Sequence, residues 1–394
     1  MSFLRSRLAA LTVVLTVAAV PAWLAAQRGR GGDNPFPGGT NPDGSLRPTR
    51  PVTQLFTQDA YTEYAILAPG SEAFRIKFLP EETRAGATEL VNATRGGSEG
   101  SDIAVLNPRT GKPLKFTYQE EGADTHAIHA QLPIPVPAGG VGRALIYKTY
   151  KDPRSYMMHG DDIVWVRSLS GYRLGVLLPK GFAFISSNVA AQLTTSADGR
   201  LKLAFANPSG QSNPVTIQAR KTTAAFAPRN DADMFFDDVK TLYDLDTPES
   251  GRVRVEQIYS DYRKGDKAKL DSLAYLPLRE LKVIDLDTAK AFGPSKEGTS
   301  TVVKLDVPIV DDAQSAHLKI TGTLADGSYK VSNGELVFDR TLHGLRNTVL
   351  LPAGWEVSAV SQSGTIGTYQ ERAFVALINL NAENNYKVTI RARK

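Results

Sequence analysis

The feature that most constrains this 394-residue chain is that part of it is written twice. The twenty residues Ile163–Phe182 return as Leu336–Trp355, 173 positions later, with ten identities and mostly like-for-like exchanges elsewhere. The same offset pairs Val215–Lys221 with Val388–Lys394. Upstream, Tyr64, Pro69, Ser71, Arg75, Arg84 and Gly86 match Tyr243, Pro248, Ser250, Arg254, Arg263 and Gly265 at an offset of 179. Gln131–Pro135 lines up with Lys304–Pro308. A repeat of this length is a unit that buries its own core. The chain therefore reads as two tandem copies, residues 56–221 and 236–394, joined by 222–235.

Within each copy the pattern is strand and turn. Ala73–Phe78 and Arg252–Glu256 alternate apolar and polar with period two, the signature of a half-buried strand. Ala144–Tyr147, Ile163–Val166 and Val215–Gln218 are runs rich in β-branched and aromatic residues. Turn-forming pairs separate such runs: Pro69-Gly70, Gly139-Gly140, Asp198-Gly199, Asp326-Gly327 and Asn333-Gly334. The best helical pattern is Asp231–Tyr243, between the copies. The expected fold class is all-β, with two tandem homologous β-sandwich-like domains.

Ahead of the repeat, Arg5 and Arg7 precede an apolar run from Leu8 to Val20, Pro21 breaks it, and Ala25 and Ala26 follow. Basic, apolar and small in that order predicts a secretory signal over 1–26. Its length also approaches that of a membrane span, so retention as an anchor stays open. Residues 27–55 are rich in Gly, Pro and Arg and poor in apolar side chains, which predicts a disordered linker. The expected location is periplasmic or extracellular. The chain has no cysteine, which excludes thiol catalysis and cysteine zinc sites and leaves stability to the cores.

The formal net charge of +5 is concentrated at the N-terminus. Without residues 1–54 the chain carries 40 basic and 39 acidic residues. No run of basic residues offers the face a nucleic-acid binder needs, so no nucleic-acid partner is expected.

Residues kept in both copies serve first what the copies share, the fold. Gly171 and Gly344 are expected at turns that use positive φ. Val176–Pro179 and its counterpart read as a buried strand ended by proline, followed by Gly181 or Gly354 in the turn. Trp165/Phe338 and Phe182/Trp355 exchange aromatic for aromatic, as core positions tolerate. Arg167, Arg173, Arg340 and Arg346 also recur. A forked guanidinium used once per domain suits a carboxylate or phosphate ligand; an arginine bonding a nearby acid or loop carbonyls is the structural alternative.

Other constellations are sparse. Asp124, His126 and His129, with Asp161 and Asp162 as additions, form the one histidine-carboxylate group with metal-ligand chemistry. The segment reads as a strand, where positions 126 and 129 face opposite ways. Asp231, Asp233, Asp237, Asp238, Asp244 and Asp246 crowd the junction, in a spacing that matches no calcium loop. No G-x-S-x-G nucleophile elbow is expected, Ser168 and Ser170 beside Gly171 have no identifiable base, and phosphate-loop and dinucleotide motifs are absent. Asn92-Ala-Thr94 is a glycosylation sequon in a eukaryotic source. No cofactor is expected.

The order Tyr64–Phe78, then Leu132–Gly140 leading into Ala144–Tyr147, resembles the N-terminal β domain of M1-family aminopeptidases. It also resembles secreted bacterial proteins built of such β units alone. The resemblance implies a β-sandwich or saddle and an envelope location. The family's catalytic zinc motif and helical domain have no counterpart in this sequence, so peptidase activity does not carry over.

Together these readings point to a non-catalytic exported envelope protein that binds a protein or glycan partner through tandem β-sandwich domains. Two alternatives stay open: a secreted, carbohydrate-active hydrolase with a site in the first copy only, and a self-associating surface structural protein.

Overall fold

The computed structural model describes residues 51–52, 60–94, 98–122, 125–169, 171–207, 212–228, 239–261, 267–270, 277–298, 300–324, 326–380 and 385–394. The predicted signal, most of the linker and residues 231–238 of the acidic junction lie outside them. Among the described residues nearly all regular structure is strand; the one helical element is the short 3-10 turn Pro248–Ser250. The all-β expectation holds. The helix expected over Asp231–Tyr243 does not: its described end lies in the strand Val239–Leu245. That strand alternates inward Tyr243 and Leu245 with outward Leu242 and Asp244. Pairing on both sides, with Val253–Asp261 and Arg346–Leu350, overrides the local helical pattern.

Two long sheets dominate. In the first half, Gln192–Thr195, Leu201–Ala206, Arg173–Leu177, Ala60–Ile66, Ala73–Glu82, Leu145–Lys151 and Glu99–Leu106 lie side by side in that order. In the second half, Gly364–Tyr369, Arg372–Ile378, Arg346–Leu350, Val239–Leu245, Val253–Asp261, Ala316–Leu324 and Arg279–Asp285 run through the same sequence of neighbours. Both sheets contain one parallel pair at the same place, with Val176 opposite Tyr64 and Val349 opposite Tyr243. The second sheet is extended at its Gly364–Tyr369 edge by a parallel pairing with Pro51–Val52, at the end of the linker.

Each long sheet packs against a four-stranded sheet: Tyr156–His159, Asp162–Leu169, Asn213–Lys221 and Phe182–Ser187 in one half, Tyr329–Ser332, Glu335–His343, Asn385–Arg393 and Glu356–Val360 in the other. Strand alternation sends one face of each into a sandwich core. In the first core Trp165 is fully buried against Tyr64 and Phe74, with ring centroids 5.2 and 6.2 Å away. Phe338 takes the corresponding place in the second, 5.8 Å from Tyr243. Two three-stranded sheets are also formed: Glu89–Ala93, His126–Gln131 and Phe116–Glu120 in the first half, and Lys267–Leu270, Ser300–Ile309 and Ser295–Glu297 in the second. Gly344 adopts positive φ as expected, and so do Gly181 and Gly354 in their turns. Gly171 does not; a Cβ there would meet the end of the Leu174 side chain at 3.3 Å and Thr62 Oγ1 at 3.5 Å, a snug fit that a small shift of Leu174 relieves.

The halves meet across a buried interface. Leu345 of the second half is fully buried among Tyr61, Leu79, Leu145 and Ala204 of the first. Arg143 donates from Nε and Nη2 to the two carboxylate oxygens of Asp287 at 2.7 and 2.5 Å and from Nη1 to Ser315 at 2.8 Å. Arg109 reaches Asp285 at 3.1 Å, and the amides of Val141 and Ser315 bond carbonyls of the opposite half at 2.9 and 2.6 Å. Burial pushes the Asp287 carboxyl up, against the pull of Arg143. Apolar packing, a desolvated forked ion pair and main-chain bonds make this a fixed joint rather than a flexible tether.

Candidate functional site

Three of the four repeated arginines, Arg167, Arg173 and Arg346, are buried, and Arg340 is partly exposed. Arg167 points into the first core, where Nη1 bonds Asp152 Oδ2 at 3.2 Å and Ser155 Oγ at 3.3 Å and the guanidinium lies 5.1–5.5 Å from the rings of Tyr64, Phe74 and Tyr150. Arg340 repeats the arrangement with Asp326, Ser328 and the Tyr243 ring. Arg173 stacks over Tyr61, and Arg346 lies 4.5 Å from the Tyr172 ring centroid across the joint between the halves. The structure thus directs these side chains to internal acids and rings, the structural alternative for the pair Arg167 and Arg340.

Nor are the histidine-carboxylate residues brought together. Asp124 lies outside the described residues. His126 stacks on Tyr118 in the strand His126–Gln131. His129 sits between two acids, Nε2 at 2.6 Å from Glu121 and Nδ1 at 3.2 Å from Glu89. Its bond to Glu89 and that to Glu121 raise its pKa. The two ring nitrogens point apart, so this arrangement is a hydrogen-bonded bridge and not a ligand set. Asp161 lies in the turn of a hairpin in a different sheet, and Asp162, the first residue of its strand, takes a forked bond from Arg220 at 2.7 and 2.8 Å. No group of three or more His, Asp or Glu able to hold a metal occurs among the described residues. Asp244 and Asp246 of the junction pair with Arg254 and Arg252.

The expectation of no G-x-S-x-G sequence is corrected at Ser98. Gly96–Gly100 has the letters of the G-x-S-x-G elbow, centred on Ser98. Its last two residues already lie in the strand Glu99–Leu106, with no helix following, and the Ser98 hydroxyl bonds the buried carboxylate of Asp152 at 3.3 Å. It belongs to the Asp152–Ser155–Arg167 network of the first core.

An open groove of about 1000 Å³ lies on the outer face of the second four-stranded sheet. The hairpin Tyr329–Ser332 and Glu335–His343, turning through Asn333 and Gly334 at positive φ, forms one side; Asn385–Arg393 forms the other. Alternation in that last strand buries Tyr386, Val388, Ile390 and Ala392 and turns Lys387, Arg391 and Arg393 outward. With Lys330 and Lys394 they make five basic residues in the groove against two acids, Glu335 and Asp339. Arg391 meets Glu335 at 2.6 Å, Lys387 meets Asp339 at 3.4 Å, and Lys394 lies 5.8 Å from the Trp355 ring centroid. The hydrogen bond from Arg391 holds the Glu335 carboxyl below its usual range.

The first half differs on the matching face. Met157 stands opposite Val164 where Lys330 stands opposite Val337, and Gln218 opposite Val164 where Arg391 stands opposite Val337. Pro214 pairs with Ser168 where Lys387 pairs with Thr341. Only Arg220 and Lys221 match the basic pair Arg393 and Lys394. A second, smaller hollow of about 640 Å³ lies on the outer face of the second long sheet, with Asp244, Arg254, Glu256, Glu280 and Lys282 in its lining. Its charges nearly balance. The clue to the basic groove lay in the C-terminal strand, where basic residues fall at outward positions, but only the pairing shows that they gather on one face.

No protein-family model matches the chain, and no curated protein matches it in sequence. Among solved structures, the chain is similar to the M1 zinc metallopeptidase from Deinococcus radiodurans, in its native form and as a point mutant. Identity is 14%, the TM-score is 0.30, and the match covers 41% of this chain and 41% of the metallopeptidase. The chain thus spans about two-fifths of the length of that enzyme, a weak likeness in fold.

Proposed function

We propose that this is a non-catalytic exported protein that binds a partner in the cell envelope through the outer sheet face of its second half. The observation that carries the reading is the basic groove, present on one half and replaced by Met157, Pro214 and Gln218 on the matching face of the other. The fold needs the inward residues of both sheets alike; it does not need outward lysines and arginines, and their concentration on one face answers to something outside the chain. The same reading takes residues 56–221 and 236–394 as two copies of one unit. The first is the anchor of the fixed joint and the second carries the contact, with the signal and linker delivering the pair to the envelope.

The test is crosslinked capture from the native envelope with tagged mature protein, beside a variant carrying Lys330→Gln and Lys387→Gln. One reproducible partner that the variant loses supports the reading. A partner retained in full by the variant removes the groove from it.

A further inference from the structure

Building on that reading, we propose that the groove's ligand is a linear acidic polysaccharide, a sugar polymer bearing carboxylates at intervals along the chain. Outward side chains recur about every 6.8 Å along a strand, so Lys387 to Arg393 spans roughly 20 Å. The groove is open along that length, as an extended polymer requires, and is not a closed pocket for a small molecule.

Charge complementarity selects an anion, and the interleaved acids favour one that also presents hydroxyl donors. Glu335 and Asp339 stand among the five basic groups. Ionised carboxylates only accept hydrogen bonds, and a DNA backbone has no hydroxyl to donate to them. A polymer charged once per sugar or two can seat its carboxylates on the basic groups and its hydroxyls on the acids. Base stacking also lacks a platform, because no aromatic side chain lines the groove. A membrane surface is disfavoured by the lining, in which Val337 is the only apolar residue large enough to insert. The existing ion pairs do not block the site. Lys387, Arg391 and Arg393 have side chains 71, 51 and 53% exposed, where a pair contributes about 0–1 kcal/mol. Exchange for a ligand carboxylate therefore costs little.

The probe is polygalacturonate, titrated onto the full mature chain at low salt. Uncharged dextran, poly-glutamate, single-stranded DNA and anionic phospholipid vesicles serve as comparisons. Expected are saturable binding of polygalacturonate, none of dextran, a fall in affinity with rising salt, and at least a tenfold loss in the Lys330→Gln, Lys387→Gln variant. Lys151→Gln, an exposed change in the first half, should leave affinity unchanged. Stronger binding of poly-glutamate, DNA or vesicles than of polygalacturonate overturns the proposal, as does binding that both variants leave untouched or no binding at all. If polygalacturonate fails while the double variant still loses an envelope partner, the ligand class is wrong and the binding face stands. If the variant keeps its partner, the face is wrong.

Discussion

Lys148 gives the sharpest stability prediction. It lies in the strand Leu145–Lys151, 4% exposed, at the seam between the sandwich core and the cluster under the first three-stranded sheet. Its Nζ donates to Asn92 Oδ1 at 2.6 Å and lies 4.9 Å from the Tyr150 ring centroid. Burial first, and the nearby positive charge of Arg167 second, lower its pKa from 10.5 to about 7. The sign follows from linkage. Between pH 7 and 10.5 the unfolded chain holds a proton on this group that the folded chain has released, so stability rises with pH across that window. At pH 6 both states are protonated and the full cost of the buried ammonium is present. At about 1.4 kcal/mol per pKa unit the cost has an upper bound of roughly 5 kcal/mol; the lost Asn92 bond returns about 1 kcal/mol. Lys148→Met keeps the volume and removes the charge. The expected gain is about 2–4 kcal/mol at pH 6, shrinking towards zero or below by pH 10. Urea unfolding followed by tryptophan fluorescence, at pH 6, 8 and 10, measures it. A variant less stable than the parent at pH 6, or a difference that does not change with pH, refutes the argument.

Three further outcomes are expected. Arg143→Ala leaves the buried Asp287 carboxylate without its forked partner and should cost about 3–5 kcal/mol in urea unfolding; a loss under 1 kcal/mol contradicts the fixed joint. Gly344→Ala must hold φ near +80° with a Cβ at 2.6 Å from that of Val239, so a loss of about 2–4 kcal/mol is expected, whereas Gly171→Ala should cost clearly less; thermal unfolding of the pair compares them. Burial would raise the Glu63 carboxyl, but Lys202 at 2.6 Å leads the groups that hold it at about 2. Its contribution is present above pH 4.5 and fades as pH falls towards 2, so Glu63→Gln should flatten the acid limb of a stability-pH profile.

The fold was legible where local pattern and tertiary demand coincide. Ala73–Phe78 alternates, and Ile163–Val166 and Val215–Gln218 are rich in β-branched and aromatic residues, because one face of each lies in a core, and each is found in a strand. Val239–Leu245 was misread because its helical spacing is a local preference, while its structure is set by neighbours far along the chain in Arg346–Leu350. The functional reading met the same limit. Recurrence drew attention to Arg167 and Arg340, and recurrence is what a shared core network also produces. The groove consists instead of positions that differ between the halves. Its charges come from two separated segments, 327–339 and 387–394, and no spacing rule joins those before the strands are paired. The joint between the halves was equally out of reach, since Arg143 and Asp287 are 144 residues apart.

The most direct test of the account is quantitative crosslinked capture from the native envelope, comparing the parent protein with the Lys330→Gln, Lys387→Gln variant at equal folded concentration. The account predicts a defined partner crosslinked to residues on the outer face of the second four-stranded sheet and lost from the variant. A partner crosslinked to the first half and recovered equally by both proteins would contradict it.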